Sequence, residues 1–250
     1  MEITWFGHSA FGLASNGRKV LVDPFLTGNP VFESQGNGTL DEKHAVALAG
    51  VTDVVITHAH MDHVGDALDI AEKTDATVFC SWDLAQWLGG KWAARANGKA
   101  LKLEMMNTGG RVNHEGVSVS FVRADHSSGI YEDGVFHALG SANGAIIAIP
   151  GAPVIYHMGD TDIFGDMALI DELHHPDIVI APIGDRFTMG AETAALAVRR
   201  FFPRAKAVIP CHFGTFGLLT GTVEEFKREL GPMGARLLEL QPHDMLKFSI

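Results

Sequence analysis

The sequence predicts an α+β protein in which β-sheets are covered by helices. Short runs rich in valine and isoleucine recur through its 250 residues, bounded by glycine, proline or aspartate, which is the pattern of strands. Early runs stand alone or in hairpin pairs and later ones alternate with helical patterns, which argues against an all-parallel doubly wound sheet. Because no low-complexity or proline-rich linker interrupts the chain, we expect one domain over residues 1–250.

The predicted elements follow one another along the chain as β-branched runs and helical patterns. The strands are Glu2–Phe6, Lys19–Val22, Asp53–Thr57, Thr77–Cys80, Val117–Arg123, Ala145–Ile149, Val154–His157, Ile178–Ala181, Ala207–Ile209, Leu237–Leu240 and Met245–Phe248. The helices are Asp66–Lys73, Asp83–Ala96, Ala191–Phe202 and Val223–Leu230. Thr222 precedes the last helix and Glu225 lies three residues further on, which predicts a capping box with Thr222 as the cap and Glu225 bonding back.

Two long segments, Thr27–Thr39 and Ser127–Asn143, fit neither pattern. Both are rich in glycine and carry aromatic residues. Long loops in a compact domain are often functional lids, and plain surface connections explain these two equally well. Both interpretations stay open from the sequence alone.

The composition limits which binding partners and which cellular compartment we expect for the protein. The formal net charge is −11, which argues against broad binding to nucleic acid or to membrane surfaces, since both are anionic. Cys80 and Cys211 stand far apart and suggest no disulfide framework, as in a reducing cytoplasm. The N-terminal stretch "MEITWFGHSAFGLAS" lacks the features of a signal peptide, and no apolar run is long enough to cross a bilayer. We therefore expect a cytoplasmic protein.

Candidate metal ligands crowd into the stretch "VVITHAHMDHVGD". On an extended backbone, His58, His60 and Asp62 would share one face. His63 would face away unless the chain turns, and Gly65 with Asp66, a candidate helix N-cap, supplies that turn. The pair His58 and His60 could then reach one ion, and Asp62 and His63 a neighbouring one. So many ligating groups would be hard to place in a core without a partner for each.

The segment "THAHMDH" resembles the T-H-x-H-x-D-H signature of the metallo-β-lactamase superfamily. Later ligands follow in the family's order, each after an apolar run: His126 in "VRADHSSG", Asp160 in "YHMGDTD" and His212 in "IPCHFGTF". The resemblance covers Met1 to about Phe226. Further segments, "FGHSAF" and "PIGDRFTMGAETAA" among them, look closest to a branch of small single-domain metal-dependent hydrolases related to the ascorbate-6-phosphate lactonases. The fold implied is an αββα sandwich of two mixed sheets with helices on both outer faces.

The resemblance implies two divalent metal ions. One would take His58, His60 and His126, the other Asp62, His63 and His212, and Asp160 would bridge them. Five imidazoles and two carboxylates suit zinc, the first expectation, and also manganese or iron. Asp23, in "KVLVDP", matches the aspartate that supports the family's site from behind the ligands.

Other residues near these motifs carry two interpretations each. His8 could bind substrate or protonate a leaving group, or it could be hydrogen-bonded at a hairpin. His157 could support the metal site or be a core histidine whose bonds are satisfied. Arg186 could hold an anionic group or form a surface salt bridge, and Cys211 is best explained as a small buried apolar residue.

The predicted function is a dinuclear metal-dependent hydrolase. A metal-bridged hydroxide would attack an ester, lactone or phosphodiester of a small-molecule substrate, with Asp62 and His8 as catalytic residues. Two alternatives stay open: a non-catalytic metal- or metabolite-binding module, and a nucleic-acid phosphodiesterase. Resemblance to the lactonase branch also suggests a homo-oligomer.

Overall fold

The computed structural model describes residues 1–95 and 98–249, and two large β-sheets pack face to face at its centre. The apolar layer between them contains Ile3, Phe11 and Leu13 from the first sheet and Val119 and Phe121 from the second. Two further apolar layers lie on the outer faces of the sheets, where helices cover them. The predicted αββα sandwich is confirmed.

The first sheet has seven strands within the described residues. They are β1 (Glu2–Trp5), β2 (Phe11–Ser15), β3 (Arg18–Val22), β4 (Asp53–Val55), β5 (Thr77–Ser81), β6 (Leu103–Met106) and β15 (Met245–Lys247). Their order is β15-β1-β2-β3-β4-β5-β6. Pairs from β15 to β3 are antiparallel and those from β3 to β6 are parallel, so the sheet is mixed.

The second sheet, in the part of the chain that the structure describes, has six strands and is also mixed. They are β7 (Arg111–His114), β8 (Val117–Arg123), β11 (Asn143–Ala148), β12 (Ile155–His157), β13 (Ile178–Pro182) and β14 (Ala207–Cys211), in the order β14-β13-β12-β11-β8-β7. A separate hairpin is formed by β9 (Gly129–Glu132) and β10 (Val135–Ala138).

Helices cover both outer faces. The first sheet is covered by α1 (Pro30–Ser34), α2 (Leu40–Leu48), α3 (Met61–Val64), α4 (Ala67–Thr74) and α5 (Trp82–Ala94). The second is covered by α6 (Met167–His174), α7 (Ala191–Phe201) and α8 (Val223–Leu230), followed by a 3-10 turn, Gly231–Arg236. None of the helices in the described part of the chain has both the length and the apolar character needed to cross a bilayer.

Several predicted elements need correction. Leu237–Leu240 is not a strand, because only Leu237 pairs, in a single bridge to Val208, and the other leucines serve packing. Thr27–Thr39 contains α1, and Ser127–Asn143 contains the β9–β10 hairpin. The predicted helix Asp83–Ala96 runs from Trp82 to Ala94, and its predicted last residue lies outside the described residues.

The capping box predicted before α8 is formed only in part. The Thr222 side chain accepts a hydrogen bond from the Glu225 amide, at 3.2 Å. The Glu225 carboxylate, however, pairs with Arg228 on the next turn of the helix, at 3.3 Å. The arginine thus takes the carboxylate that was expected to bond back to the cap.

The residues of the candidate site lie just after the ends of strands. His8 follows β1, Asp23 follows β3, His58 follows β4, Asp160 follows β12 and His212 follows β14, each within three residues of the strand's last residue. His126 lies three residues beyond the end of β8. Polar groups that are far apart in sequence therefore meet at one edge of the sandwich.

Candidate metal centre

Histidine and aspartate side chains gather in two groups at this edge, among the residues that the structure describes. Within each group the ligand atoms all lie within 4.8 Å of one another. One group is His58, His60, His126 and Asp160, and the other is His8, Asp62, His63 and His212. The structure thus brings together all seven predicted ligands and adds His8.

Asp160 lies between the two groups. Its Oδ2 atom is 3.0 Å from His212 Nε2 and 3.6 Å from His126 Nε2, and its Oδ1 atom is 3.4 Å from His63 Nε2. Its carboxylate therefore faces histidines from both groups, as a bridging ligand would.

The backbone turn that separates the ligand pairs begins earlier than predicted. His60 is the N-cap of α3, so the chain turns at Met61 and not at Gly65. His58 and His60 precede the helix, whereas Asp62 and His63 are part of it. Gly65 packs against the chain after β3, where an added Cβ would lie 2.4 Å from the Pro24 carbonyl oxygen. No side chain fits there.

Three ring nitrogens of the first group face one another. His60 Nδ1 lies 3.0 Å from His58 Nε2 and 3.3 Å from His126 Nε2. The other nitrogens of two rings are engaged, His58 Nδ1 with the Thr57 hydroxyl at 3.0 Å and His60 Nε2 with the Ser127 hydroxyl at 3.2 Å. The converging nitrogens of His58 and His60 can then offer lone pairs. Tetrahedral ligands of a zinc ion lie about 3.3 Å apart, so the spacing suits one cation.

Asp23 sets the ring orientation of one histidine in each group. Its carboxylate is fully buried and accepts hydrogen bonds from the Thr57 amide at 2.8 Å, the Thr57 hydroxyl at 2.7 Å and His63 Nδ1 at 2.8 Å. Because the Thr57 hydroxyl donates its proton to Asp23, it accepts one from His58. The Nδ1 atoms of His58 and His63 carry these bonds, so their Nε2 atoms are the ones available to bind metal. A carboxylate behind metal-binding histidines is expected to have this effect.

Buried polar atoms at the centre lack hydrogen bonds. His63 Nε2, Asp160 Oδ1 and His212 Nδ1 have no hydrogen-bond partner among the described residues. Leaving such atoms unpaired costs free energy. His63 Nε2 and Asp160 Oδ1 lie 3.4 Å apart without forming a hydrogen bond, and cations bound beside them would remove that cost. The residues present therefore fit a metal centre.

Electrostatic coupling holds the centre in a charged state when no metal is bound. Burial opposes the negative charge of Asp160, but His212 and His63 outweigh it and keep the pKa of the carboxyl well below its ordinary value. Burial likewise opposes the charge on His63, but Asp160 and Asp23 raise its pKa well above the ordinary value. In contrast, burial and the neighbouring His63 lower the pKa of His58.

His8, the member of the second group that was not predicted as a ligand, is fully buried. Its Nε2 lies 3.1 Å from Asp62 Oδ2, and its Nδ1 lies 3.0 Å from the Thr215 hydroxyl. Because a carboxylate only accepts, Nε2 carries the proton and Nδ1 accepts from Thr215. Burial, followed by repulsion from His212, lowers the pKa of His8 to about 4. His8 is thus a neutral donor that holds Asp62 in place.

The metal-free protein is expected to lose stability as the pH falls from about 7 to about 4. The ordinary pKa of His8 is 6.5 and its folded value is about 4, so the unfolded chain takes up a proton that the folded protein excludes. The contribution of neutral His8 to the free energy of unfolding is complete above pH 6.5 and is lost toward pH 4. The loss is on the order of 3 kcal/mol. His63, with a raised pKa, contributes constantly in this window, because its stabilisation is lost only as the pH rises.

Urea denaturation of wild type and of the His8→Gln variant would measure this effect. The free energy of unfolding of the variant should change less steeply over that pH range. Equal slopes in the two proteins would contradict the assignment of His8 as a buried neutral histidine.

The structure also shows the surroundings of three other residues considered in the sequence, His157, Cys211 and Arg186. His157 Nε2 bonds to the Ser9 carbonyl at 3.1 Å and its Nδ1 accepts from the Gly159 amide at 3.1 Å, so its bonds are satisfied while it holds the chain next to Asp160. Cys211 is buried. Arg186 is exposed over the Phe187 ring, and no ion pair with a carboxylate is seen for it within residues 1–95 and 98–249.

Sequence reasoning gave no role to Thr57, Ser127 and Thr215. Thr57 lies in the signature itself, so its position beside two ligands was a usable signal. Ser127 follows His126 directly, which was a weaker one. Thr215 contacts His8 across 207 positions of sequence, and nothing in its local pattern predicts that contact.

Comparisons with known proteins find similar sequences over most of the chain. The family model described as a β-lactamase superfamily domain matches residues 2–212. A UPF0173 metal-dependent hydrolase of Methylobacterium nodulans is 50% identical over 238 residues, covering 95% of each chain. Another from Agrobacterium fabrum is 49% identical over 249 residues, covering 99% of this chain and 100% of that one.

Solved structures show the same architecture. Igni18, described as a novel metallo hydrolase from the archaeon Ignicoccus hospitalis, superposes with a TM-score of 0.83 at 32% identity, covering 100% of this chain and 98% of that one. YhfI of Bacillus subtilis, described as a metallo-β-lactamase fold protein, has a TM-score of 0.67 at 13% identity, covering 98% of this chain and 99% of that one, and shows likeness of fold alone.

Proposed function

The chain belongs to the metallo-β-lactamase superfamily, and from this premise we propose that it is a metal-dependent hydrolase with a dinuclear centre. One observation carries the proposal: seven histidine and aspartate side chains from four separate segments converge, with ring nitrogens facing one another at 3.0 and 3.3 Å. The relatives named as metal-dependent hydrolases support the reaction class.

Two cations would be held by the two groups. His58, His60 and His126 would hold one, Asp62, His63 and His212 the other, and Asp160 would contact both. When bound, such a pair of cations lowers the pKa of water and supplies positive charge beside the bond that is cleaved. Nitrogen and oxygen donors without a cysteine ligand suit zinc, manganese or iron.

The residues around the cations orient the centre and control its protons. Asp23 orients the rings of His58 and His63 through the bonds described above, and the extra proton that His63 holds without metal would leave when a cation binds at Nε2. His8 donates from Nε2 to Asp62 and fixes that carboxylate. The Asp62 side chain is 32% exposed, so a substrate reaches the centre past it.

We propose an ester, lactone or phosphodiester of a small molecule as the substrate. The net charge of −11 supports a small molecule over a nucleic acid, because a polyanion would be repelled over most of the surface. The relationship to ascorbate-6-phosphate lactonases stays a prediction.

Removal of metal is expected to abolish turnover reversibly. The purified protein would be stripped with a chelator and assayed on generic ester, lactone and phosphodiester substrates, before and after Zn²⁺, Mn²⁺ or Fe²⁺ is supplied. We expect activity on at least one bond type to be lost on stripping and restored by metal. Activity that persists without metal would contradict the proposal, and full metal binding without turnover would favour a binding module.

A further inference from the structure

Three aromatic rings meet beside the second group of ligands. The ring centroid of His8 lies 5.9 Å from that of Phe25 and 5.5 Å from that of Phe216, and the two phenyl rings are 6.4 Å apart. His8 is fully buried, Phe25 is half-buried and Phe216 is 39% exposed. Both phenyl rings contact His8 edge to face and leave part of their surface exposed to solvent. We call Phe25 and Phe216 the aromatic wall.

The aromatic wall lies beside Asp62, which together with His60 and His126 is one of the half-buried ligands of the centre. The Asp62 side chain is 32% exposed, whereas the His63 and Asp160 side chains at the centre are at most 3% exposed. Asp62 is bonded to His8, which contacts both rings of the wall. Met61, the residue before Asp62, is also exposed. A molecule that reaches the centre past Asp62 thus meets an apolar surface on that side.

The position of Phe25 is fixed in advance of any ligand. Its carbonyl accepts a hydrogen bond from the Asn29 side chain at 2.9 Å, and its Cα packs against Gly65, next to the ligand helix. Asp66 holds the same segment, since its carboxylate accepts from the amides of Leu26 and Thr27 and does not cap α4.

Phe216 is fixed from the other side. It follows His212 by four residues, and its neighbour Thr215 bonds to His8 at 3.0 Å. The Phe216 carbonyl accepts from the Leu219 amide at 2.9 Å, which closes a turn. A surface arranged before binding loses little conformational freedom when a ligand arrives.

We propose that the aromatic wall binds an apolar aryl or branched alkyl group of the substrate, next to the bond that is hydrolysed. The proposal rests on the proposed function, because that function makes the metal centre the place where the substrate binds. Exposed aromatic faces beside a polar centre favour ligands with one charged or polar end and one apolar end. Phe216 is then a residue that determines specificity.

Binding of two phosphonates to the zinc-loaded protein tests the proposal without requiring turnover. Methylphosphonate and benzylphosphonate carry the same anionic head group and differ in the ring. Isothermal titration calorimetry should show benzylphosphonate binding about tenfold more tightly to wild type. In Phe216→Ala this preference should fall to about twofold or less, and Phe216→Leu should keep part of it.

Phe187→Ala is the matched control, because Phe187 is an exposed phenylalanine that follows β13 and has no contact with His8 among the described ring contacts. It should keep the wild-type preference, and zinc content should be equal in all variants. Equal affinity for the two phosphonates, no saturable binding of benzylphosphonate, or an equal loss in Phe187→Ala would overturn the proposal. A protein that prefers benzylphosphonate but hydrolyses nothing would instead contradict the proposed function.

Discussion

Replacing Asp160 with asparagine is expected to lower metal-dependent hydrolysis on the order of a thousandfold. Asp160 faces His63, His126 and His212, and its negative charge lies between both proposed cations. Asparagine keeps the shape but removes that charge. Steady-state kinetics at saturating metal, with elemental analysis of the same samples, would measure the loss of turnover and of bound metal together.

Asp162→Asn is the matched control for this substitution. Asp162 lies two residues away, is exposed, and its carboxylate accepts a bond from the Ile163 amide. Its variant should keep wild-type activity and metal content. Undiminished turnover in an Asp160→Asn protein that still carries metal would show that Asp160 is not part of the reaction.

Replacing Asp23 with alanine is expected to destabilise the protein and to weaken metal binding. The substitution leaves the Thr57 amide and hydroxyl and His63 Nδ1 without their buried acceptor. Loss of such a buried acceptor costs about 3 kcal/mol, or about 10 °C in Tm for a chain of this size. Because His58 and His63 also lose their fixed orientation, metal affinity should fall by about 10- to 100-fold.

The Asp53→Ala variant is the control that separates the loss of stability from the loss of metal affinity. Asp53 is equally buried and bonded, to Arg18 and Thr52, but it lies at the opposite end of β4 from Thr57. Its variant should be destabilised to a similar extent while its metal affinity stays unchanged. Calorimetric melting and metal titration of both variants would decide. Equal metal affinity in the Asp23 and Asp53 variants would contradict the proposal that Asp23 positions the metal-binding histidines.

The ligand cluster was readable from the sequence because four donors stand within six positions, from His58 to His63. A local pattern can show that such groups lie together. The distant ligands Asp160 and His212 needed the resemblance to a known family to be matched, since only the strand order brings β12 and β14 to the same edge. The aromatic wall was not foreseen, because Phe25 and Phe216 meet only through long-range packing.

Some secondary-structure elements were likewise predictable from the sequence and others were not. Largely buried strands with recurring valine or isoleucine, such as β8 and β13, were predicted closely. Strand β2 was missed because Gly12 and Ala14 weaken its pattern, although its pairing with β1 and β3 secures it in the sheet. Helix α2 was missed because its sequence, LDEKHAVAL, carries little apolar periodicity, and a capping box at Thr39 starts it.

Anomalous diffraction from crystals of the metal-loaded protein tests the central claim most directly. Data collected on both sides of the zinc absorption edge should show two peaks, one within bonding distance of His58, His60 and His126 and one near Asp62, His63 and His212. Asp160 should contact both. A single peak elsewhere in the molecule, or none after metal has been supplied, would contradict the dinuclear centre.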